Sequence, residues 1–223
     1  MKAYAIVVAG GEGRRFGGPK QFELLRGKPV LQYSLEIFES CPSIAGVCLV
    51  VPEERLQDAQ ALIPKSCKKT RWVLPGGAER QYSVACGFRA LPVCDAVLVH
   101  DGVRPFFTKE LVEKITAGLK EHDGVIPALP LNETIKEVDE KRVITRTMDR
   151  SLLWAAQTPQ GFRYPILKSA LAKADLDHFV GTDEAALVER LGLSLRVIEG
   201  DPLNLKITTR EDLARAEWFL GAS

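Results

Sequence analysis

Ala3-Tyr4-Ala5-Ile6-Val7-Val8 runs into Ala9-Gly10-Gly11-Glu12-Gly13-Arg14-Arg15-Phe16-Gly17-Gly18-Pro19-Lys20, and this stretch decides how the rest of the chain is read. A short apolar run stops at five glycines, two adjacent arginines and a lysine. A buried strand with that ending presents bare backbone N–H groups and cations at one point, which is the composition of a phosphate site. Similar apolar runs recur downstream, at Val47–Val51, Arg71–Leu74, Ala96–Val99, Val125–Ala128 and Leu195–Ile198. They are nearly continuous Val/Ile/Leu rather than alternating, as in strands covered on both faces. Between them Val30–Ser40, Glu54–Leu62, Glu79–Leu91, Lys109–Lys120 and Leu213–Leu220 carry helical spacing. The predicted fold is therefore α/β, a doubly wound, mostly parallel sheet in which ligands bind beyond the carboxyl ends of the strands. The glycine loop lies at such an end.

Composition narrows the partners. With 223 residues and 46% hydrophobic content the chain can bury a full core and suits a single domain over 1–223. Thirty basic residues oppose twenty-nine acidic ones, so no global field favours nucleic acid or an anionic membrane, and an anion must be met locally. The N-terminal apolar run is too short for a signal-peptide core or a spanning helix, and no later stretch reaches about 18 apolar residues. A cytoplasmic protein is expected. Its five cysteines, Cys41, Cys48, Cys67, Cys86 and Cys94, are odd in number and never spaced C-x-x-C, so they read as reduced thiols. Residues 131–150 break the rhythm, alternating β-branched and charged residues around Asp139-Glu140-Lys141. That pattern predicts a projecting β-hairpin arm with too little apolar surface to stand alone, hence a homodimer through the arm or a solvated surface hairpin.

Three explanations compete for the opening loop. A Walker A loop requires G-x-x-x-x-G-K-[ST], and here Lys20 follows Pro19 and precedes Gln21. A dinucleotide fingerprint requires G-x-G-x-x-G, and here Gly11 and Gly13 are followed by Phe16 at the third position, which weakens an NAD-dependent oxidoreductase. The third is a longer loop that wraps a nucleoside triphosphate, with Arg14, Arg15 and Lys20 on its phosphates. His100-Asp101 closes the Ala96–Val99 run and places a carboxylate beside that loop; Mg²⁺ prefers one or two carboxylates plus phosphate oxygens and water. Asp101 is the metal candidate, directly or through water, and it could equally cap its turn or pair with Arg104. His100 reads as a hydrogen-bonded structural residue. Thr182-Asp183-Glu184 reads as a helix N-cap, Leu203–Leu205 as strand-like, and Thr208-Thr209-Arg210-Glu211 as a capping box.

Ala-Gly-Gly-x-Gly-x-Arg with Pro19-Lys20-Gln21 resembles the signature of sugar-phosphate nucleotidyltransferases, whose Rossmann-like fold it implies. Gly76-Gly77-Ala78-Glu79-Arg80, Ser83-Val84, His100-Asp101-Gly102-Val103-Arg104-Pro105, Asp149-Arg150, Gln157-Thr158-Pro159-Gln160, Thr182-Asp183-Glu184-Ala185 and Asn204-Leu205-Lys206-Ile207-Thr208 resemble, in order and spacing, the 2-C-methyl-D-erythritol 4-phosphate cytidylyltransferases over nearly the whole chain. The resemblance implies transfer of CMP from CTP to that polyol phosphate with Mg²⁺, a step of non-mevalonate isoprenoid synthesis. It implies Arg15, Lys20, Arg150 and Lys206 as catalytic residues. Nucleotide contacts would fall on Ala9, Gly10, Gly11, Gly13, Gly76, Gly77, Ser83, Asp101, Gly102 and Arg104, and acceptor contacts on Thr134, Arg150, Thr182 and Lys206. Gly76 and Gly77 would let backbone groups read the edge of cytosine, where a purine would clash. Ala78 departs from the Asp usual in the family, which touches one side-chain contact and leaves the backbone reading intact. A ribitol 5-phosphate cytidylyltransferase shares the loop, the strand-end Asp and the fold, and the acceptor pocket around Thr134, Arg150 and Thr182 is what separates the two.

Overall fold

The strand Ala3–Val8 (β1) is buried along its whole length and lies between two parallel neighbours, Ile44–Val51 (β4) and Ala96–Asp101 (β6). The computed structural model describes residues 1–11, 13 and 15–221; Glu12 and the phosphate candidate Arg14 lie outside the described residues. Among these, two-residue strands Leu24–Leu25 (β2) and Lys28–Pro29 (β3) pair with each other, and Thr70–Pro75 (β5) closes one edge of the main sheet beside β4. The helices Val30–Ser40 (α1), Leu56–Leu62 (α2), Arg80–Ala90 (α3) and Lys109–Gly118 (α4) stand where helical spacing predicts them, within a few residues.

Strand periodicity sorts the core into two layers. Side chains alternate between faces, so Ala3, Ala5 and Val7 join Leu31, Leu35 and Phe38 of α1 and Ile115 of α4. Tyr4, Ile6 and Val8 join Val84 and Phe88 of α3 on the other face. In β6, Ala96 and Leu98 point to the first layer and Val97 and Val99 to the second. The same parity sends His100 toward α1 and Asp101 toward α3. Gly87 of α3 is required here, because a Cβ would stand 2.8 Å from Ile6 and 3.1 Å from Val50.

The simple alternation of strand and helix fails in the second half of the chain. Gly124–Pro130 (β7) does not pair with β6. Gln160–Arg163 (β11) is inserted between them, antiparallel to both. Residues 136–138 (β8) and 144–147 (β9) form the arm hairpin, whose turn is tied by Asp139 Oδ1 accepting from the amides of Lys141 and Val143, both at 2.9 Å. The chain returns through Trp154–Ala156 (β10), antiparallel to β7, and continues into β11. Leu195–Glu199 (β12) pairs parallel to β7; Val125 faces both Gly161 and Arg196, so β11 and β12 take its two edges. The eight-stranded sheet is thus mostly parallel with antiparallel inserts.

Two further helices, Tyr164–Leu176 (α5) and Glu184–Glu189 (α6), cover the α3 face of the sheet. The C-terminal helix Arg210–Gly221 (α7) closes a third cluster in which Phe16, Leu25, Val30, Ile207 and Ala216 pack together. Phe16 therefore staples the glycine loop to α7 and to the segment carrying Lys206. No described helix is long and apolar enough to cross a membrane, and all five cysteines are free.

Candidate active site

The site assembles at the carboxyl ends of β1, β5 and β6. Beyond β1 the amide of Ala9 donates to Val50 O at 2.7 Å, which keeps the chain in the sheet until Gly10. Gln21, 1% exposed, then donates its side-chain amide to Ala9 O at 2.6 Å and Gly11 O at 3.1 Å, holding the two sides of the loop together. Gly13 has φ +67°, and its carbonyl accepts from the amides of Phe16, Gly17 and Gly18 at 2.8, 2.9 and 3.3 Å. A Cβ at this glycine would collide with the Gly18 carbonyl. The fold of the loop brings Arg15 and Lys20 to one place. Burial, and next the charges of Lys206 and Arg15, lower the Lys20 pKa below its ordinary value, while Asp101 pulls the other way.

The β5 end supplies a compact polar corner. Ser83, on the first turn of α3, accepts from the Gly77 amide at 3.1 Å, and its hydroxyl lies 3.3 Å from Glu79 O. A Cβ on Gly76 would stand 2.7 Å from Ser83 Oγ, and one on Gly10 would stand 3.4 Å from the same atom. Gly10, Gly76, Gly77 and Ser83 thus share one close-packed corner. Gly102 is equally constrained: its amide donates to Val8 O at 2.9 Å, and a Cβ would press on Ala9 and Val7.

Asp101 is the electrostatic centre. Its Oδ1 takes a hydrogen bond from Arg80 Nε at 3.0 Å; its Oδ2 lies 2.9 Å from Lys206 Nζ and 3.7 Å from Arg104 Nε. Burial alone would raise this carboxyl, but the charges of Arg80 and Lys206 outweigh it and hold the group well below the usual carboxylate range. The local pairing with Arg104 expected from sequence is present, yet it is the longest of these three contacts. Arg104 is turned instead to Asn204, whose carbonyl accepts from Nη1 at 2.8 Å. Asn204 in turn donates to Thr158 O at 2.8 Å. Residues 201–205 form a turn rather than a strand, and Ile207, whose amide donates to Val103 O at 2.9 Å, anchors Lys206 beside Asp101.

His100 takes a structural place, as expected. The Asp101 amide donates to Thr158 Oγ1 at 3.1 Å, and that hydroxyl lies 3.0 Å from His100 Nδ1; the other ring nitrogen lies 3.1 Å from Arg104 O and 3.2 Å from Ser34 Oγ. A neutral imidazole protonated at Nε2 satisfies all of these contacts. Burial against Phe38 and Phe107 pushes its pKa down to about 3.

A cleft of ≈ 180 Å³ opens beside Asp101 and is lined by Arg80, Arg104, Thr182, Asp183 and Lys206 together with residues 156–158 and 160. Thr182 and Lys206 therefore meet in one cleft. Thr134 and Arg150 stand on or beside the arm, outside it; the Arg150 guanidinium donates to Asn132 O within its own segment. Asp183 is the N-cap of α6, accepting from the Ala186 amide at 3.0 Å. The capping box expected over Thr208–Glu211 forms one residue later, between Thr209 and Asp212: Asp212 accepts from the Thr208 and Thr209 amides, both at 2.9 Å, and its own amide donates to Thr209 Oγ1 at 3.3 Å.

The donor set bears on a metal. Among the described residues no group of three His, Cys, Asp or Glu side chains could cage an ion, and both oxygens of Asp101 are already engaged by cations. What fits such a site is a divalent ion that brings most of its ligands as phosphate oxygens and water, with Asp101 as the candidate protein carboxylate.

Arg80, Gln81, Gln160, Glu184 and Asn204 carry no assigned role in the sequence reading, although four of them fall in quoted motifs. Their partners lie far away along the chain: Arg80 Nη1 is 2.8 Å from both carboxylate oxygens of Glu184, 104 residues later.

The sequence profile described as 2-C-methyl-D-erythritol 4-phosphate cytidylyltransferase matches residues 3–222. Curated relatives with that name include proteins of Geobacter metallireducens, 42% identical over 99% of this chain and 98% of theirs, and of Alkaliphilus metalliredigens, 44% identical over 98% and 93%. The crystal structure of 4-diphosphocytidyl-2C-methyl-D-erythritol synthase from Anaerococcus prevotii superposes with a TM-score of 0.88 at 29% identity, covering 99% of this chain and 96% of that one. The Thermus thermophilus 2-C-methyl-D-erythritol 4-phosphate cytidylyltransferase gives 0.82 at 31% identity, with 98% of both chains covered. Profile, relatives and superpositions all extend over essentially the whole chain and take in the glycine loop, the Asp101 turn and the Lys206 segment, so the chain belongs to the 2-C-methyl-D-erythritol 4-phosphate cytidylyltransferase family.

Proposed function

We propose that this enzyme transfers the cytidylyl group of CTP to the phosphate of 2-C-methyl-D-erythritol 4-phosphate and releases pyrophosphate. One observation carries the reading most: at the end of the glycine loop Lys206 stands 2.9 Å from Asp101, and Lys20 and Arg15 lie near enough that, after burial, the charges of Lys206 and Arg15 hold Lys20 below its ordinary pKa. A cluster of cations in that state is stabilised by a polyanion, and two phosphate-bearing substrates supply one.

In the reaction a phosphate oxygen of the acceptor attacks the α-phosphorus of CTP, a new P–O bond forms, and the bond to the β-phosphate oxygen breaks with its electron pair leaving on pyrophosphate. The nucleophile is already anionic, so positioning and charge stabilisation do the work and no strong base is required. Arg15 and Lys20 meet the charge that grows on the α-phosphate and leaving group. Lys206 offsets the repulsion between the two substrates. Gly76, Gly77 and Ser83 hold the base and ribose through the close-packed corner they share with Gly10, while Ala9, Gly11, Gly13, Gly102 and Arg104 complete the nucleotide side. Asp101 would meet, directly or through water, a Mg²⁺ ion carried in with the triphosphate, and such an ion would supply further neutralisation of phosphate charge.

The acceptor is fixed by Thr182 and Lys206 in the cleft and, in a homodimer, by Thr134 and Arg150 of the arm of a second subunit. The arm and its base support this pairing: Val143, Ile144 and Leu152 are 60%, 59% and 79% exposed, apolar side chains that a neighbour would cover. Pyrophosphate release with Mg²⁺ tests the reading, comparing methylerythritol phosphate with ribitol phosphate and CTP with the other triphosphates. The expected result is turnover confined to CTP and methylerythritol phosphate; preference for ribitol phosphate would overturn the acceptor assignment. Arg150→Ala should mainly raise KM for the acceptor, and a selective effect on CTP would place that residue on the other substrate.

A further inference from the structure

The short helix α6 carries the acceptor-side residues Thr182 and Asp183 at its start, yet at six residues it has little independent hold on its own position. Two consecutive side chains of α3 supply that hold. Arg80 reaches Glu184, with Nη1 at 2.8 Å from both carboxylate oxygens, while its Nε donates to Asp101 at 3.0 Å. Gln81 clamps the backbone just before Thr182, donating to Phe179 O and accepting from the Gly181 amide, both at 2.9 Å. From the opposite side Gln160 donates to Asp183 Oδ2 at 2.7 Å. Glu184 itself is 1% exposed, does not line the cleft, and meets Arg80 as its ion-pair partner among the described residues.

Resting on the cytidylyltransferase reading, we propose that Glu184 is a positioning residue acting through Arg80: the pair ties the start of α6 to Asp101 and to the helix that follows the base-reading glycines, and so sets where the acceptor lies relative to the nucleotide. This one guanidinium joins polar groups of three elements distant in sequence, α3, β6 and α6. A polar pair of this kind is dispensable for burial, because well-packed apolar residues can replace a buried ion pair without loss of stability. Its retention beside the cleft is accounted for by placement of the acceptor.

The test uses the full-length enzyme, following pyrophosphate release at varied acceptor and saturating CTP, with CTP binding measured separately without acceptor. Glu184→Gln is expected to lower kcat/KM for the acceptor on the order of 10²-fold, the loss that goes with a misplacement of about 1 Å, and to leave the Kd for CTP within about twofold. The double variant Arg80→Met/Glu184→Leu restores an apolar core contact; it should melt near the parent temperature and still show the acceptor defect. Equal losses on both substrates in Glu184→Gln, recovery of acceptor kinetics in the folded double variant, or failure of both variants to fold would each overturn the proposal. Absence of turnover in the parent with any polyol phosphate would instead overturn the assigned reaction, which keeps the two failures distinct.

Discussion

His100 gives the chain an acid sensitivity whose size follows from its surroundings. The imidazole is fully buried, takes the Thr158 hydroxyl on one nitrogen and faces Arg104 O with the other, and its pKa is pushed from 6.5 down to about 3 by burial. In the unfolded chain it protonates near its ordinary value. Between those two values the unfolded state binds the extra proton, so stability rises with pH and is lost as pH falls from about 6.5 toward 3. At pH 7 the cost is about 0.2 kcal/mol and at pH 5 about 2 kcal/mol, each further pH unit adding about 1.4 kcal/mol until the folded-state value is approached. Asp101 has a depressed pKa; the stability it contributes is fully present above its ordinary value of 3.8 and is lost only as pH falls below that value, outside the pH 5–7 window. His100→Asn keeps an oxygen able to accept from Thr158 while removing the titration. Urea unfolding of both proteins at pH 7 and pH 5, at constant ionic strength, measures the effect. The variant should be less stable at pH 7 and should lose about 2 kcal/mol less than the parent on going to pH 5. Parallel losses in the two proteins would refute the neutral, buried assignment of His100.

Lys20→Ala and Arg15→Ala should each lower kcat on the order of 10²–10³-fold with little loss of fold; near-parental turnover in either one removes the charge-stabilisation mechanism. Lys20 must be protonated to act, and its pKa lies below the ordinary lysine value of 10.5 because of burial and then of Lys206 and Arg15. Activity toward CTP should therefore fall as pH rises through a value below that of an ordinary lysine. Lys206→Met, although less active, should move this alkaline limb upward by removing one of the depressing charges. Gly13→Ala should impair CTP use at little cost to global stability, because φ +67° and the Gly18 carbonyl leave no room for a methyl group; an unchanged KM for CTP would show that the loop does not need this conformation.

The first half of the fold was legible because β1, β4 and β6 are covered on both faces and so write themselves as apolar runs. β11 left no such trace. Gln160-Gly161-Phe162-Arg163 has one large apolar residue, and its place in the middle of the sheet is dictated by neighbours: a Cβ on Gly161 would collide with Ile115 of α4. α5 was readable in principle, with Pro165 at its first turn and Leu167, Ala170 and Ala174 on one face. In the site, the glycines, Lys20, Asp101 and Lys206 stood out by residue type and order. Arg80 and Glu184 did not, since a guanidinium and a carboxylate 104 residues apart carry no local pattern. Gln21 was equally silent: a glutamine after Pro19-Lys20 looks like loop until its amide is seen bridging Ala9 and Gly11.

The antiparallel insert also has a consequence for biosynthesis. β6 is complete at residue 101 and β7 at residue 130, but the strand that joins them spans residues 160–163. While the nascent chain emerges at about 5–20 residues per second, the free edge of β6 waits several seconds for its partner, with every one of its six residues destined for burial. An unpaired apolar edge is a template for association with other chains, so the central strand, rather than the active site, marks the interval in which a growing polypeptide of this family most needs protection by a chaperone.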